Sequence, residues 1–304
     1  MRTWTTAALL LLPVCAGAES HGRIAVFSAG LEMVKVPVAI EDHDGHSVRD
    51  LNAEDFVLNE SGKPQKIQLF ARAFDSGPNE HLALDLALLF DTSESMLEVL
   101  KLSQQAAIRF LESVPRARDL LVAFFDQNTR ISRYQSGQQQ ALVNQIQHAQ
   151  SRGNTALRDA IATGLSRVSG GAGRFAMVVF SDGEDTFSRI SQAELMRLVR
   201  SSAVTIYPIM FAGKPSSQQS AAQGKAFMRE LAELSGGRIF TVTQAGDLPD
   251  IYRMIVEDLE GQYVLGFVSN DTRQDGGYRK LKVEVKRKDV RMRHREGYYA
   301  PMGP

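Results

Sequence analysis

Apolar residues recur at every second position near both ends of the chain, which is the pattern of β-strands with one buried face. In the N-terminal zone, residues 24–74, the repeated positions are Val34, Val36, Val38 and Ile40, followed by Ile67, Leu69 and Ala71. A linker rich in turn-forming residues, 75–79, ends this zone. The same period returns in residues 263–304, where Leu281, Val283 and Val285 alternate with charged side chains. Both ends of the chain are therefore predicted to form β structure.

Between these zones, short apolar strands alternate with amphipathic helices. The predicted strands are 82–90, 120–125, 130–135, 176–180, 204–211 and 238–242. The predicted helices are 96–114, 138–149, 156–168, 192–199, 221–234 and 248–259. This alternation predicts a mostly parallel sheet with helices on both faces. The strand 130–135 follows its predecessor after a short turn, so we expect it to run antiparallel at an edge.

The number of strands sets the domain organisation. About four strands before the α/β unit and three after it are too few for two stable sandwiches but enough for one. We therefore predict a doubly wound α/β domain, residues 81–260, inserted into a β-sandwich. Residues 19–80 and 261–304 would form that sandwich.

The composition is that of an ordinary globular protein and excludes disordered or fibrous chains. Of 304 residues, 43% are hydrophobic, and 35 Lys and Arg balance 35 Asp and Glu. A net charge of zero gives no indication of nucleic acid or of a membrane surface as a partner. Beyond the N-terminus, no segment approaches the length of a transmembrane helix.

Residues 1–18 are predicted to be a secretory signal peptide. Arg2 precedes an apolar run over residues 7–15, and a small-residue pattern predicts cleavage after Ala18. The mature chain would be periplasmic or secreted, and it would contain no cysteine and hence no disulfide. A lipoprotein acylated on Cys15 is the alternative, which is disfavoured because Pro13 and Val14, rather than small residues, precede that cysteine.

Polar residues collect where the predicted parallel strands end, which is where open α/β sheets bind ligands. They are Asp91, Ser93 and Ser95 after the first strand of the α/β unit, Thr155 before the third helix and Asp182 after the fourth strand. Carboxylates and hydroxyls form an all-oxygen set, which suits a hard cation better than zinc. Mg²⁺ is the predicted metal, with Mn²⁺ or Ca²⁺ as alternatives.

These five residues together resemble the metal ion-dependent adhesion site of von Willebrand factor type A domains, found in integrins and many bacterial surface proteins. The resemblance extends over residues 82–260 and includes the segments 154–161 and 231–237. The flanking segments 51–63, 263–267 and 295–299 are similar to a bacterial group of such proteins best known from acidobacteria.

The resemblance implies that Ser93, Ser95 and Thr155 bind the metal through their hydroxyls, with Asp91 and Asp182 acting through bound water. An ion that no carboxylate touches directly keeps uncompensated charge and attracts an anionic oxygen. The implied ligand is a Glu or Asp carboxylate of a partner protein, bound without catalysis. In integrin-type relatives the last helix couples the site to the next domain, and here that helix runs directly into the C-terminal β zone.

Two other functions stay open at this level. A metal-dependent hydrolase of the cell envelope would need Asp182 or Asp185 to activate water, but the chain contains none of the common nucleophile or phosphate-binding motifs. A structural scaffold with a vestigial metal site is the other alternative. The neighbouring carboxylates Glu94, Glu184 and Asp185 are interpreted as solvated loop charges.

Two further clusters carry weaker signals. His43, Asp44 and His46 are a candidate zinc site, although a turn beside Gly45 is the favoured interpretation. The C-terminal zone is rich in basic residues from Arg279 to Arg295, and Arg291, Arg293 and Arg295 share one strand face. A solvated edge is the favoured interpretation of these basic residues, and a patch for an anionic envelope polymer or lipid is the alternative.

Overall fold

The computed structural model describes residues 33–73, 83–113, 117–134, 138–168, 173–211 and 217–303. The predicted signal peptide, with Arg2, Cys15 and Ala18, lies outside the described residues, and so does the linker 75–79. In the described ranges, no helix combines the length and apolar character needed to cross a bilayer.

Fourteen strands and six α-helices follow one another along these residues. The strands are β1 (Val34–Glu41), β2 (Phe56–Glu60), β3 (Lys63–Gln65), β4 (Leu69–Arg72), β5 (Leu84–Asp91), β6 (Asp119–Phe125), β7 (Thr129–Tyr134), β8 (Arg174–Ser181), β9 (Val204–Phe211), β10 (Phe240–Val242), β11 (Tyr263–Phe267), β12 (Tyr278–Val285), β13 (Arg291–His294) and β14 (Gly297–Tyr299). The helices are α1 (Leu100–Ser113), α2 (Gln139–Gln147), α3 (Leu157–Val168), α4 (Gln192–Ser201), α5 (Gln218–Ser235) and α6 (Leu248–Gly261).

The central sheet has six strands in the order β10-β9-β8-β5-β6-β7. All neighbours pair in parallel except β6 and β7, which form the antiparallel edge that the short turn predicts. Every residue of β5, β8 and β9 is buried. Such continuous apolar runs are typical of parallel strands that helices cover on both faces. The predicted α/β class is confirmed.

Alternate side chains of the central strands enter two separate cores. Leu86, Leu88 and Phe90 of β5 belong to a core formed with α1, α2 and α6. Ala87 and Leu89 point to the opposite face and pack in a core formed with α3, α4 and α5. The period of two in a strand therefore assigns three helices to each face of the sheet.

The remaining strands form two antiparallel sheets of four, with the orders β13-β1-β11-β4 and β14-β12-β2-β3. Val36 and Tyr263 of the first sheet share a core with Leu58 and Leu281 of the second. The sheets are therefore the two halves of a β-sandwich, which is built from the chain segments before and after the α/β insertion. Four strands follow the insertion instead of the expected three, because the chain passes from one sheet to the other between β13 and β14.

Helix α1 begins later than its apolar pattern predicts. Residues Glu94–Met96 form a 3-10 turn, and the α-helix starts only at Leu100. The predicted start at residue 96 is therefore wrong by one turn. Met96 is nevertheless fully buried, so it contributes to the apolar pattern without belonging to the α-helix.

Charged side chains, most of them buried, join the sandwich to the α/β domain. Arg293 of β13 donates two hydrogen bonds of 2.7 Å to the carboxylate of Asp258 in α6 and one of 2.5 Å to Glu41 of β1. Arg238, just before β10, donates to the same Glu41 oxygen at 2.9 Å. Burial raises the pKa of Glu41. These contacts fix the C-terminal end of α6 against the sandwich.

The expectation of a solvated basic edge is therefore wrong for three of its arginines. Arg293 is mostly buried in this interface, and Arg295 is buried and donates to the carbonyl oxygen of Ser202 at 3.0 Å. Arg279 is buried as well and donates to Asp275 at 3.0 Å. The same burial contradicts a patch for anionic polymers through these side chains. Only Arg291 of the alternating set is exposed.

The substitution Arg293→Ala is expected to lower the free energy of unfolding by about 3 to 5 kcal/mol, because it leaves Asp258 and Glu41 buried with fewer compensating charges. Urea unfolding followed by circular dichroism measures this change. Arg291→Ala is the matched control on the same strand, and its effect should stay within about 0.5 kcal/mol. Equal effects of the two substitutions would contradict the structural role of Arg293.

Candidate metal centre

Three loops meet at the edge of the central sheet where its parallel strands end, here called the carboxyl edge. The loop after β5 receives a hydrogen bond from the loop before α3, Arg152 N to Thr92 O at 2.8 Å, and returns one from Glu94 N to Gly153 O at 3.0 Å. The loop after β8 joins them through Thr186 N, which donates to Thr155 O at 2.9 Å. Backbone hydrogen bonds thus hold the three loops together independently of any ligand.

Asp91 is the last residue of β5 and is fully buried. Its Oδ1 accepts from the amide of Ser93 at 2.9 Å, and its Oδ2 accepts from the hydroxyl of Ser181 at 2.6 Å. Burial and the nearby carboxylate of Asp182 raise the pKa of Asp91 to about 7, although the serine hydrogen bonds oppose this change. The two carboxylates are therefore close enough to destabilise each other's charged form.

Ser93 and Ser95 lie beside Asp91 because alternate residues of this loop point in opposite directions. Their hydroxyl oxygens are 3.1 Å apart. The intervening Thr92 instead donates its hydroxyl to Phe125 O at 2.9 Å, and Glu94 is exposed. The spacing of Asp91, Ser93 and Ser95 thus places their side chains on one side of the loop.

Asp182 follows β8 and is mostly buried. Its Oδ1 accepts from the amide of Glu184 at 3.1 Å, whereas its Oδ2 is buried and has no hydrogen-bond partner among the described residues. Burial raises the pKa of Asp182, the Ser95 hydroxyl lowers it, and the charge of Glu184 raises it further. A buried carboxylate oxygen without a partner costs free energy that a bound cation or water would recover.

Thr155 is buried between the other two loops. Its amide donates to the hydroxyl of Thr186 at 3.1 Å, and its carbonyl oxygen accepts from Thr186 and from Phe187. These bonds connect Thr155 to the loop that carries Asp182. The structure therefore brings all three chain segments of the predicted site to the carboxyl edge.

The donor set fits a hard divalent cation. Asp91 and Asp182 are buried carboxylates, and among the described residues neither pairs with a Lys or Arg side chain. The other three candidates, Ser93, Ser95 and Thr155, offer only hydroxyl oxygens as side-chain ligands. Oxygen ligands of this kind suit Mg²⁺, Mn²⁺ or Ca²⁺.

Two residues that sequence reasoning did not assign to the site also shape it. Ser181 holds Asp91, as described above. Gly224 of α5 packs directly on Gly183, whose φ of 85° belongs to the left-handed region, and a Cβ at Gly224 would lie 2.7 Å from Gly183 O. The position of Ser181 immediately before Asp182 was an available signal, but only the packing of α5 reveals Gly224.

The neighbouring carboxylates differ from the expectation of solvated charges. Glu94 is exposed as expected, but Glu184 is buried. Asp185 accepts from the amide of Arg158 and from the hydroxyl of Ser188, both at 2.7 Å, and its Oδ2 lies 3.3 Å from the Arg158 guanidinium. The interpretation is therefore wrong for Glu184 and Asp185, because this loop folds onto the start of α3.

A second group of potential ligands lies in the sandwich, in the turn after β1. Ligand atoms of Asp42, Asp44 and His46 lie within 4.8 Å of one another. Asp42 takes the place of His43 in the predicted set, and His43 instead lies 3.3 Å from Asp44. Asp42 accepts from the amides of Asp44 and His46 at 3.0 and 2.9 Å, so the group already stabilises a turn.

The α/β domain matches a known protein family. A family model described as the von Willebrand factor type A domain matches residues 85–254. Among curated proteins, no match to the chain was found.

Several solved structures are similar to this chain at low sequence identity. A von Willebrand factor type A protein from Catenulispora acidiphila has 10% identity and a TM-score of 0.48, with 91% of this chain and 75% of that chain covered. The PilB minor pilin from Streptococcus sanguinis has 14% identity and a TM-score of 0.48, with 61% and 64% covered. Proximal thread matrix protein 1 from the mussel byssus has 15% identity and a TM-score of 0.45, with 59% and 48% covered.

This chain therefore spans less than two thirds of the pilin and of the mussel protein. The family model, in contrast, covers more than half of this chain and includes all strands of the central sheet except the first residue of β5, Leu84. The protein belongs to the von Willebrand factor type A domain family.

Proposed function

We propose that this protein binds a partner protein through a divalent cation, Mg²⁺, held at the carboxyl edge by Asp91, Ser93, Ser95, Thr155 and Asp182. Domains of this family typically mediate protein–protein interactions. The observation that carries the proposal is the pair of buried carboxylates, Asp91 and Asp182, that no basic side chain among the described residues neutralises. A divalent cation is the compensation that this donor set favours.

The hydroxyls of Ser93, Ser95 and Thr155 would hold the cation, and the two aspartates would orient its water. The cation would supply a positively charged contact for a carboxylate oxygen of the partner. The protein contributes a rigid site, because backbone hydrogen bonds between the three loops fix the oxygen ligands before a partner binds. Recognition then needs little rearrangement of the site.

The geometry supports binding rather than hydrolysis. Hydrolysis would need a carboxylate free to accept a proton from water. Asp185 is engaged by Arg158 and Ser188, and Asp91 is engaged by Ser93 and Ser181. Asp182 is the remaining candidate, and its Oδ1 already accepts from the amide of Glu184 at 3.1 Å. We therefore favour a binding protein over an envelope hydrolase or a scaffold with a vestigial site.

Export belongs to the same proposal. It rests on the signal-peptide pattern of residues 1–18, which leads to a periplasmic or secreted protein. Membership of the acidobacterial-type group rests on the flanking segments, whose residues lie in β2, β11 and β14 of the sandwich and in the turns beside them. N-terminal sequencing of the protein purified from cell fractions tests cleavage after Ala18.

The substitution Asp182→Asn is expected to weaken Mg²⁺ binding at least about 10-fold, because it removes a buried charge while the amide keeps an acceptor for Glu184. Titration calorimetry with Mg²⁺ and with Mn²⁺ measures the affinity. Glu94→Gln changes an exposed carboxylate of the neighbouring loop and is the matched control, with an affinity near that of wild type. Unchanged affinity in Asp182→Asn would refute the site.

Removal of divalent cations is expected to make stability depend on pH through Asp91. Its pKa of about 7 in the folded chain exceeds the ordinary value of 3.8, so the folded state binds the proton more tightly. This contribution is complete below about pH 4 and is lost as the pH rises to about 7. Urea unfolding in EDTA should show that wild type loses stability relative to Asp91→Asn as the pH rises, because residue 91 of the variant cannot ionise.

Saturating Mg²⁺ should reverse that loss above pH 7, because a ligand that binds only the folded state stabilises it. Other groups titrate in both proteins, so the difference between wild type and Asp91→Asn isolates residue 91. A difference that stays constant from pH 4 to 8 would show that Asp91 is ionised in the metal-free protein.

The substitution Gly224→Ala is expected to weaken Mg²⁺ binding, since the new Cβ would displace the backbone of Gly183 beside Asp182. Gly246→Ala is the matched control, because the nearest atom to its Cβ is a side-chain nitrogen 4.0 Å away. Mg²⁺ affinity by calorimetry and melting temperature in EDTA separate an effect on the site from a general loss of stability. Wild-type affinity in Gly224→Ala would argue against this positioning role.

A further inference from the structure

Two large apolar side chains are exposed on the loops of the carboxyl edge that carry proposed metal ligands. Leu97 is 64% exposed and Phe187 is 47% exposed. Single exposed apolar residues are common on protein surfaces and need no explanation. These two differ because each follows a loop segment that contributes a proposed metal ligand.

Leu97 follows Ser95 by two residues, so their Cα atoms are at most about 7.6 Å apart. Its amide donates to Glu94 O at 3.1 Å, which holds it on the 3-10 turn of this loop. Met96 points inward and is fully buried, so the turn is anchored in the core while Leu97 faces solvent.

Phe187 is anchored to the other side of the site. Its amide donates to Thr155 O at 2.8 Å, and Asp185 and Ser188 on either side of it bond to each other and to α3. The ring therefore projects from a loop that is already ordered. Rigid aromatic side chains of this kind are over-represented among the residues that dominate binding energy at interfaces.

The charge beside Leu97 restricts what the partner presents. Glu94 is an exposed carboxylate on the same loop. Its charge would repel a run of acidic residues. A partner segment with a single carboxylate avoids this repulsion. An apolar side chain next to that carboxylate would cover the exposed surfaces of Phe187 and Leu97.

We propose that the partner presents one Glu or Asp next to a bulky apolar side chain, and that Leu97 and Phe187 contact that apolar side chain while the carboxylate reaches the cation. This inference rests on the proposed cation-dependent function and specifies its ligand. The site thereby distinguishes an apolar-acidic segment of a protein from a polyacidic one.

Small carboxylates test the inference with the full chain loaded with Mg²⁺. The probes are acetate and 3-phenylpropionate, and NMR chemical-shift titration measures their affinities. We expect 3-phenylpropionate to bind on the order of 10-fold more tightly than acetate. Phe187→Ser should remove this difference and leave both acetate affinity and Mg²⁺ affinity unchanged, and Leu97→Ser should reduce it.

Leu198→Ser is the matched control, because Leu198 is 42% exposed on α4 and lies outside these loops. It should keep the full preference for 3-phenylpropionate. Circular dichroism checks that each variant is folded. We expect all of them to fold, because the substituted side chains are exposed.

The outcomes separate this inference from the function on which it rests. Equal Mg²⁺-dependent affinities of wild type for the two probes, or a preference that survives Phe187→Ser, overturn the inference alone. Binding of Mg²⁺ without Mg²⁺-dependent binding of either carboxylate overturns both the inference and the proposed function.

Discussion

The burial of two neighbouring carboxylates, Asp91 and Asp182, is the constraint on which the carboxyl edge depends. Parallel pairing of β5 with β8 sets Phe90 opposite Phe180 and brings the ends of both strands to the same level. Each carboxylate therefore lies where the other raises the cost of its charge. Hydrogen bonds from serine hydroxyls and loop amides offset part of that cost. The Asp182 oxygen without a hydrogen-bond partner shows that part of the cost remains uncompensated.

At the opposite end of the domain, buried carboxylates are compensated by arginine side chains instead. Asp258 and Glu41 are buried too, but Arg293 and Arg238 neutralise them directly. Helix α6 begins after β10 near the carboxyl edge and ends at this ion-pair cluster. A displacement that separates α6 from β13 has to break the two hydrogen bonds between Arg293 and Asp258, so the cluster adds to the energetic cost of such a movement.

Periodicity predicted most of the fold because strands buried on both faces leave continuous apolar runs, as in β5 and β9, and half-buried strands leave alternation, as in β12. The same signal failed where burial came from polar partners. Arg293 and Arg295 alternate as a solvated face does, and nothing in their spacing reveals the carboxylate of Asp258 or the carbonyl oxygen of Ser202 in the other domain. Asp185 was misjudged for the same reason, since its partner Arg158 lies 27 positions away.

The sequence by itself determined the α/β class, the antiparallel edge strand and the presence of four oxygen-bearing residues after strand ends and a fifth, Thr155, before a helix, because local periodicity and chain order suffice for these. Only the tertiary structure decided which oxygens are left without partners, that Gly224 touches the Asp182 loop, and that Leu97 and Phe187 are exposed on loops that carry proposed ligands. Those properties depend on packing between segments distant in the chain, and a linear pattern carries no information about such distances.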